Sequence, residues 1–245
     1  MILVGQYDSP FVRRVAIALN HYGLPFERRV LSVFQDFDAL LPVNPLGKVP
    51  VLILDAGNPL YDSRAILEYL ETAAPPDRRL SPAGDGARRE MLRIEAVGIG
   101  LAEKLYERGI EFARRSPGTQ DPAWIERLER QIDSALLWLE ARASGPWLVG
   151  DGMTRADLAV VVAVTHAVMK LPQLFDPVRL PGLAAHRQAC EALPAFTAAA
   201  YSAPTAAANV KCPTATANAG ATVTWSGRGW WRFNIKGNPL ASRVT

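Results

Sequence analysis

Two serine residues stand where an apolar run gives way to a helical pattern, and both could take part in chemistry. Ser9 precedes Pro10 and a run with helical spacing, and Ser63 follows Asp62 and precedes "RAILEYL". Serine is a preferred N-cap residue, so closing a helix is the simplest role for each. A helix N-terminus also presents free N–H groups and a positive dipole end, which bind anions. The residues alone leave both roles open.

Most familiar catalytic signatures are absent from the sequence. Cys190 and Cys212 form no C-x-x-C pair, and His21, His166 and His186 lack the spacing of metal ligands. There is no Gly-rich phosphate loop, G-x-S-x-G elbow or H-E-x-x-H motif. We therefore expect neither a disulfide framework nor a metal site.

The charge of the chain is unevenly distributed. Five of the 27 basic residues and none of the 24 acidic residues lie from Thr205 onward, so the preceding residues have a formal net charge of −2. A nucleic-acid partner inferred from the overall charge would rest on the tail alone. No run reaches the roughly 18 apolar residues that span a bilayer, and "MILVGQYD" lacks the basic start of a signal peptide. We expect a cytoplasmic protein without a membrane or nucleic-acid partner.

The first 73 residues alternate between strand and helix patterns. Gly23 ends the helix that begins at Ser9, and the Gly57–Pro59 turn predicts an antiparallel hairpin. The predicted order is β-α-β-α-β-β-α, a small mixed sheet with helices on its faces. The predicted strands are 2–6, 26–31, 49–55 and 60–62, and the predicted helical segments are 9–22, 36–45 and 63–72.

The chain after residue 73 divides into a linker, a helical region and an extension. Residues 74–86 are rich in Pro and Gly and predict a linker, and residues 87–202 have only helical patterns. Thr154 and Asp157 form a capping box before an apolar run, which predicts a helix at the centre of an all-α domain. Residues 203–245 are interpreted as a poorly ordered extension. A strand-forming segment and a stacking surface for single-stranded nucleic acid are the alternatives.

Four segments, in this order, resemble signatures of the cytosolic glutathione transferase family. They are "SPFVRRVAIAL", "NPLGKVPVL", "DSRAILEYL" and "GDGMTRADLAV". The first is similar to that of serine-type members, of bacterial or tau- or theta-like kind. The resemblance covers about residues 1–202. It implies an α/β thioredoxin-like N-terminal domain (βαβαββα) followed by an all-α helical-bundle domain.

The resemblance also implies a binding site for glutathione as the cosubstrate. A Pro at a strand start is ordinarily trans, but the family implies a cis Val49–Pro50 bond that turns the Val49 N–H and C=O toward an extended peptide. Ser63 would bind the γ-glutamyl carboxylate and Asp62 its ammonium, although many relatives have a longer acid or amide at this position. Lys48 is either a partner of the glycyl carboxylate or a solvated surface residue.

Ser9 is the expected catalytic residue, and it would act on the thiol of glutathione. A hydroxyl that donates a hydrogen bond to the sulfur favours the thiolate, which is the nucleophile. Tyr7 is the rival donor, since other classes of the family use a tyrosine near the end of the first strand. Arg13 and Arg14 belong to the same motif, and we expect one to be solvated and the other salt-bridged on the helix surface.

The predicted activity is conjugation of glutathione to an electrophilic small molecule, a reaction of detoxification. Glutathione-dependent dehalogenase, isomerase or peroxidase activity is an alternative, and so is a non-catalytic transferase-like binding module. A second substrate would lie between the domains against the fourth helix. The resemblance implies a homodimer. The candidate wall residues for that substrate are Tyr106, Glu107, Ile110 and Phe112.

Overall fold

A four-stranded mixed sheet organises the first 61 residues of the protein, in a computed structural model that describes residues 1–202, 221–226 and 230–235. The strand order is β2-β1-β3-β4, with β1 and β2 parallel and the other neighbours antiparallel. The strands are β1 (Ile2–Val4), β2 (Glu27–Arg29), β3 (Val51–Ile53) and β4 (Pro59–Tyr61). The β3–β4 pair is the predicted hairpin.

Three helices complete this N-terminal region. Ser9 caps the first helix, and Gly23 ends it in the left-handed conformation with φ 71°. Glycine is favoured at such a helix end because it has no Cβ to oppose a positive φ. The helices are α1 (Pro10–Tyr22), α2 (Phe37–Leu40) and α3 (Ser63–Ala73). The predicted βαβαββα thioredoxin-like order is confirmed.

The regular secondary structure between Asp85 and Thr197 is all helical, as predicted. Thr154 and Asp157 form the expected capping box, and Asp157 also accepts a hydrogen bond from the Leu148 N–H at 2.9 Å. The helix that they start is buried on nearly all sides, which confirms its central position. The helices are α4 (Asp85–Arg114), α5 (Pro122–Glu140), α6 (Arg155–Lys170), α7 (Pro181–Glu191) and α8 (Pro194–Thr197).

One of the buried apolar clusters spans both halves of residues 1–202. Helix α1 packs on both α3 and α6, and Leu158, Val161 and Phe196 join the α1 and sheet residues in one buried cluster. Because α1 is covered on several sides, even Arg13 and Arg14 on it are 1% exposed. Among the described residues, no helix has the length and apolar character needed to cross a membrane.

The predicted extension at 203–245 falls mostly outside the described residues. Within it, strands β5 (Ala221–Ser226) and β6 (Trp230–Ile235) pair antiparallel. The proposed domain limits at 73, 86 and 202 therefore stay predictions, as does the interpretation of the extension.

The close approach of α4 to α6 supplies a prediction about stability. A Cβ on Gly98 would lie 3.0 Å from both the Ala159 carbonyl carbon and the Val160 nitrogen. These backbone atoms belong to the central helix and cannot move aside alone. We expect Gly98→Ala to lower the free energy of unfolding by about 1–3 kcal/mol, measured by urea denaturation.

Gly100 is the matched control for this prediction. It lies on the same helix, and a Cβ there meets nothing within 4 Å. Gly100→Ala should raise the free energy of unfolding by about 0.5–1 kcal/mol, because alanine is the better helix former. Equal effects of the two substitutions would contradict the steric argument.

Candidate functional site

Ser9 stands at the start of α1 with its hydroxyl hydrogen uncommitted. The hydroxyl oxygen accepts a hydrogen bond from the Val12 N–H at 3.4 Å, which is the only bond that it makes with the described residues. A serine hydroxyl has one donor in addition to its lone pairs. The partly exposed side chain can therefore cap the helix and still donate a hydrogen bond to a ligand.

Gly5 brings the Ser9 loop against Val49. Its φ is 132°, and a Cβ there would lie 2.5 Å from Val12 Cγ2 and 3.1 Å from Val49 Cβ. Only glycine fits this conformation and this space. Val49 therefore lies beside the chain that leads from β1 to Ser9, as a shared binding site requires.

Tyr7 is placed for packing more than for donating a proton. Its side chain belongs to the shared core and is 7% exposed, with the Arg28 guanidinium 3.6 Å above its ring. Burial raises the pKa of the Tyr7 hydroxyl, and the charge of Arg28 opposes this only partly. Of the two residues, Ser9 is therefore the more exposed.

Helix α6 holds the loop between Tyr7 and Ser9, a contact that the sequence reasoning missed. The Asp8 carbonyl lies 3.2 Å from His166 Nδ1, and because a carbonyl only accepts, Nδ1 must carry the hydrogen. Lys170 Nζ lies 3.9 Å from the Asp8 carboxylate. Burial lowers the pKa of His166, which keeps the ring neutral at neutral pH.

The peptide bond between Val49 and Pro50 is cis, as the resemblance implies. Among the described residues, neither the Val49 N–H nor its C=O makes a hydrogen bond. Buried Asn44 shapes this loop, because its amide donates to the Lys48 carbonyl at 2.8 Å and its side-chain oxygen accepts from Leu46 N–H at 3.0 Å. Asn44 is the first residue of the "NPLGKVPVL" segment, but the sequence alone did not predict this role.

The start of α3 is capped by Asp62 and not by Ser63. The Asp62 carboxylate accepts from the Arg64 N–H at 2.7 Å, whereas Ser63 is the first helical residue. Asp62 has φ 65° and ψ 129°, a conformation that costs energy for a residue with a side chain. Extending the register in which Val51 pairs with Tyr61 by two residues puts Val49 level with Ser63.

Ser63 is buried and already accepts one hydrogen bond. Arg14 Nη1 donates to its hydroxyl oxygen at 3.3 Å, so the hydroxyl hydrogen is directed elsewhere.

The expectation that one of the two arginines, Arg13 or Arg14, is solvated is wrong. Arg13 donates to both carboxylate oxygens of Glu191, at 2.7 and 2.5 Å, and Arg14 pairs with buried Glu95.

A buried ion network connects Ser63 to the helical region. Glu95 of α4 lies between Arg14 and Arg155, and Arg155 also binds Glu68 of α3 at 2.7 Å. Burial on its own would raise the pKa of Glu95, but the two guanidinium groups outweigh it and the net pKa is lowered. The network holds Arg14 behind Ser63 with a fixed positive charge.

Lys48, next to Val49 in the sequence, is exposed and has no carboxylate within 4.0 Å in the described part of the chain.

Cys190 is buried, and burial together with Asp157 and Glu191 raises the pKa of its thiol to about 12. An inert thiol of this kind is not a nucleophile. Cys212 lies outside the described residues.

The described contacts thus put Val49 beside the chain that leads to Ser9 and, if the β3–β4 register is extended, level with Ser63, which outlines one path. Ser63 presents a hydroxyl and a helix N-terminus, Val49 presents unpaired backbone groups, and Ser9 presents a donor. An extended peptide with a carboxylate at one end and a polar atom near its middle fits such a path by strand addition.

Comparisons with known proteins identify the family. Residues 3–78 match the family model of the glutathione S-transferase N-terminal domain, and residues 122–189 match that of the C-terminal domain. The uncharacterized GST-like protein YibF of Escherichia coli K12 is 32% identical over 171 residues, which cover 68% of this chain and 81% of YibF. A probable maleylacetoacetate isomerase of Vibrio cholerae is 28% identical, covering 82% of this chain and 95% of the isomerase.

Solved structures extend the similarity to nearly the whole length of the relatives. A glutathione S-transferase from Methylobacterium radiotolerans, in complex with glutathione sulfonate, has a TM-score of 0.79 and 30% identity, covering 85% of this chain and 98% of its own. One from Methylobacillus flagellatus with glutathione bound has a TM-score of 0.76 and 28% identity, covering 82% and 99%. The chain therefore belongs to the glutathione transferase family.

Proposed function

We propose that this protein is an enzyme that conjugates glutathione to an electrophilic small molecule. The observation that carries the proposal is that three groups keep unused hydrogen-bonding capacity among the described residues: the Ser9 hydroxyl hydrogen, the Val49 N–H and C=O, and the Ser63 hydroxyl hydrogen. A binding module without catalysis has no need for Ser9, Pro50 and Ser63 as a set, although Ser9 alone could be kept as the cap of α1. Relatives that hold glutathione or its sulfonate support the choice of cosubstrate.

In this proposal the tripeptide lies across the sheet edge. The Val49 N–H and C=O, turned outward beside Pro50, pair with the backbone of its cysteinyl residue. The γ-glutamyl carboxylate binds at Ser63, where the helix dipole and Arg14 both favour an anion. Asp62 faces the ammonium, and Lys48 faces the glycyl carboxylate.

Ser9 would stabilise the thiolate without ionising itself. A thiol of pKa about 8.5 is only a few per cent thiolate at neutral pH, and each pKa unit corresponds to about 1.4 kcal/mol. A hydrogen bond to a charged group supplies about 1.5–3 kcal/mol, and a helix N-terminus adds about 0.3–1 kcal/mol. Together these terms lower the pKa of the thiol by about one to three units, enough to make it substantially thiolate.

Isomerisation is the second candidate function, and the Vibrio cholerae relative favours it. A thiolate that adds to a conjugated double bond and later leaves would return glutathione unchanged. The same Ser9 donor serves conjugation and isomerisation, so the fate of glutathione in the products distinguishes them.

Retention on glutathione resin and turnover of a generic aryl halide test the proposed activity directly. We expect the protein to be retained, to be eluted by free glutathione, and to release halide as glutathione is consumed. Failure to bind glutathione would overturn the enzyme reading. Binding without turnover of any electrophile would support the non-catalytic module.

Lys48→Ala tests the assignment of the glycyl carboxylate. An exposed ion pair contributes about 0–1 kcal/mol, so KM for glutathione should rise up to about fivefold while kcat changes little. Lys104→Ala is the control, because Lys104 is also partly accessible but is paired with Glu107 on α4 at 2.8 Å. An unchanged KM in Lys48→Ala would leave Lys48 as a surface residue.

We also propose that the enzyme acts as a cytoplasmic homodimer in detoxification, with residues 1–73 binding glutathione and residues 87–202 forming the helical domain. Family membership is the support for these statements. Light scattering on the full chain measures the oligomeric state, and a monomer mass would contradict the dimer.

A further inference from the structure

An arginine at the end of α4 reaches across to the N-terminal region of the chain. The Arg114 guanidinium carbon lies 3.9 Å from the centre of the Phe34 ring. Arg114 is the last residue of α4, and Phe34 lies between β2 and α2. The stacked pair therefore bridges the two halves of the transferase fold on the side where α2 lies.

Phe34 is held in place although its side chain is 49% exposed. The buried Ser32 hydroxyl accepts hydrogen bonds from the N–H groups of Phe34 and Gln35, at 3.3 and 3.4 Å. Asp36 closes the turn by accepting from the Ser32 N–H at 2.8 Å. An exposed aromatic ring on a tightly bonded turn is a preformed surface for a ligand.

Arg114 differs from the cations that surround it. Each of three neighbours on or just after the last turns of α4 is paired with a carboxylate: Lys104 with Glu107, Arg108 with Glu129, and Arg115 with Glu111. Arg114 has no carboxylate within 4.0 Å in residues 1–202. Stacking orients its guanidinium plane and leaves its N–H edges available.

Tyr106 and Ile110 lie on the same stripe of α4, about two turns and one turn before Arg114, respectively. Tyr106 is 41% exposed, and the positive charge of Arg114 partly opposes the rise of its pKa on burial, which agrees with their proximity. Phe112, which the sequence suggested as a wall residue, lies under Arg108 on the face toward α5. Only part of the predicted wall therefore faces Phe34.

This stripe stands near the proposed glutathione path. Phe37, three residues after Phe34, packs its ring closely on Gly47. A Cβ added to Gly47 would lie 2.4 Å from Phe37 Cε2. Gly47 is two residues before Val49. The segment that carries Phe34 therefore packs against the loop that would bind the tripeptide. Arg114 contacts Phe34 of this segment from the helical region.

We propose that Phe34, Tyr106 and Arg114 form a subsite for a second substrate that carries a carboxylate on a flat apolar body. This inference rests on the proposed function and narrows its substrate class. The guanidinium binds the carboxylate through two parallel N–H donors, and the aromatic rings cover the apolar body. The binding energy would then depend on the carboxylate, which a neutral electrophile lacks.

A matched pair of electrophiles tests the subsite. The probes are a chlorodinitrobenzoate, with chlorine para to the carboxylate, and its methyl ester. We expect Arg114→Ala to lower kcat/KM for the benzoate about tenfold or more, as loss of a charge-assisted hydrogen bond implies, and to change that for the ester by less than about twofold. Arg115→Ala, next in sequence but paired with Glu111, should leave both values unchanged.

Three results in these assays would overturn the subsite. The first is an equal loss for benzoate and ester in Arg114→Ala, and the second is the same selective loss in Arg115→Ala. The third is a rise in KM for glutathione in Arg114→Ala with the ester as electrophile, which would assign Arg114 to the carboxylate of glutathione.

Binding of the two reaction products separates this inference from the proposed activity. By calorimetry, the unaltered protein should bind the carboxylated S-aryl glutathione more tightly than its methyl ester, and Arg114→Ala should remove the difference. If that difference is present but neither electrophile is turned over, the subsite stands and the proposed activity falls. If the two conjugates bind equally to the unaltered protein, the subsite is wrong whatever the activity.

Discussion

Ser9→Ala should lower kcat/KM for the aryl halide by about ten- to a hundredfold and leave retention on glutathione resin intact. The substitution removes one hydrogen bond to a charged sulfur, worth about 1.5–3 kcal/mol, and each 1.4 kcal/mol is tenfold in rate. The contacts at Val49 and Ser63 do not involve Ser9, so the peptide should still bind. The pH–rate profile should shift to higher pH, because the bound thiol is then a weaker acid.

Tyr7→Phe is the matched control for the role of Ser9. It removes a hydroxyl two residues away and keeps the ring that packs under Arg28. Because burial raises the pKa of that hydroxyl, we expect kcat/KM within about threefold of the unaltered enzyme. Full activity in Ser9→Ala with a large loss in Tyr7→Phe would reverse the assignment.

Loss of the helix cap must be separated from loss of chemistry. Replacing an N-cap serine costs about 0.5–2 kcal/mol, and the 3.4 Å bond from Val12 indicates the low end. Thermal unfolding of Ser9→Ala should therefore change by only a few degrees. A rate loss in a protein that remains folded at the assay temperature then reports on the thiol.

Local signals explain most of what the sequence predicted well. The Ser9 cap, the Gly23 stop and the box formed by Thr154 and Asp157 are each determined by residues within a few positions. The cis bond before Pro50 is different, because composition favours trans and only the resemblance reversed the expectation. The first three strands are shorter than predicted, since the ladder ends where the partner strand ends, and the fourth has the predicted length but begins one residue earlier.

Contacts between distant residues account for what the sequence could not predict. Arg14 and Glu95 are 81 positions apart, and Asp8 and His166 are 158 apart. Nothing near Arg14 indicates that α6 and α4 will bury it, so a solvated arginine was the natural expectation. Ser63 is similar: its motif was recognised, but the hydrogen bond from Arg14 depends on how α1 packs against α3.

Glu95→Gln should have the largest effect on stability, lowering the free energy of unfolding by about 3–5 kcal/mol. The carboxylate is 4% exposed and lies between Arg14 and Arg155, and removal of one partner from a buried ion pair leaves uncompensated charge in the interior. Glu90→Gln is the control, because Glu90 lies on the same helix in an exposed pair with Arg93 and should change stability by less than about 1 kcal/mol.

The pH dependence of the Glu95→Gln effect distinguishes lost charge from disturbed packing. The pKa of Glu95 in the folded protein is lowered below its ordinary value of 4.5, so its contribution is complete above that pH and is lost as the pH falls through the folded pKa. The difference in unfolding free energy between the two proteins should be constant above about pH 5 and shrink in acid. A difference that persists unchanged in acid would indicate packing instead.

Glu95→Gln should also weaken the binding of glutathione. Without the carboxylate, Arg14 loses the partner that orients it toward Ser63, and the positive charge behind the γ-glutamyl carboxylate is no longer fixed. We expect KM for glutathione to rise more than in Glu90→Gln, with a smaller change in kcat, since Ser9 is untouched. If KM is unchanged in a folded Glu95→Gln protein, the network stabilises the fold alone and Ser63 binds the carboxylate without help from Arg14.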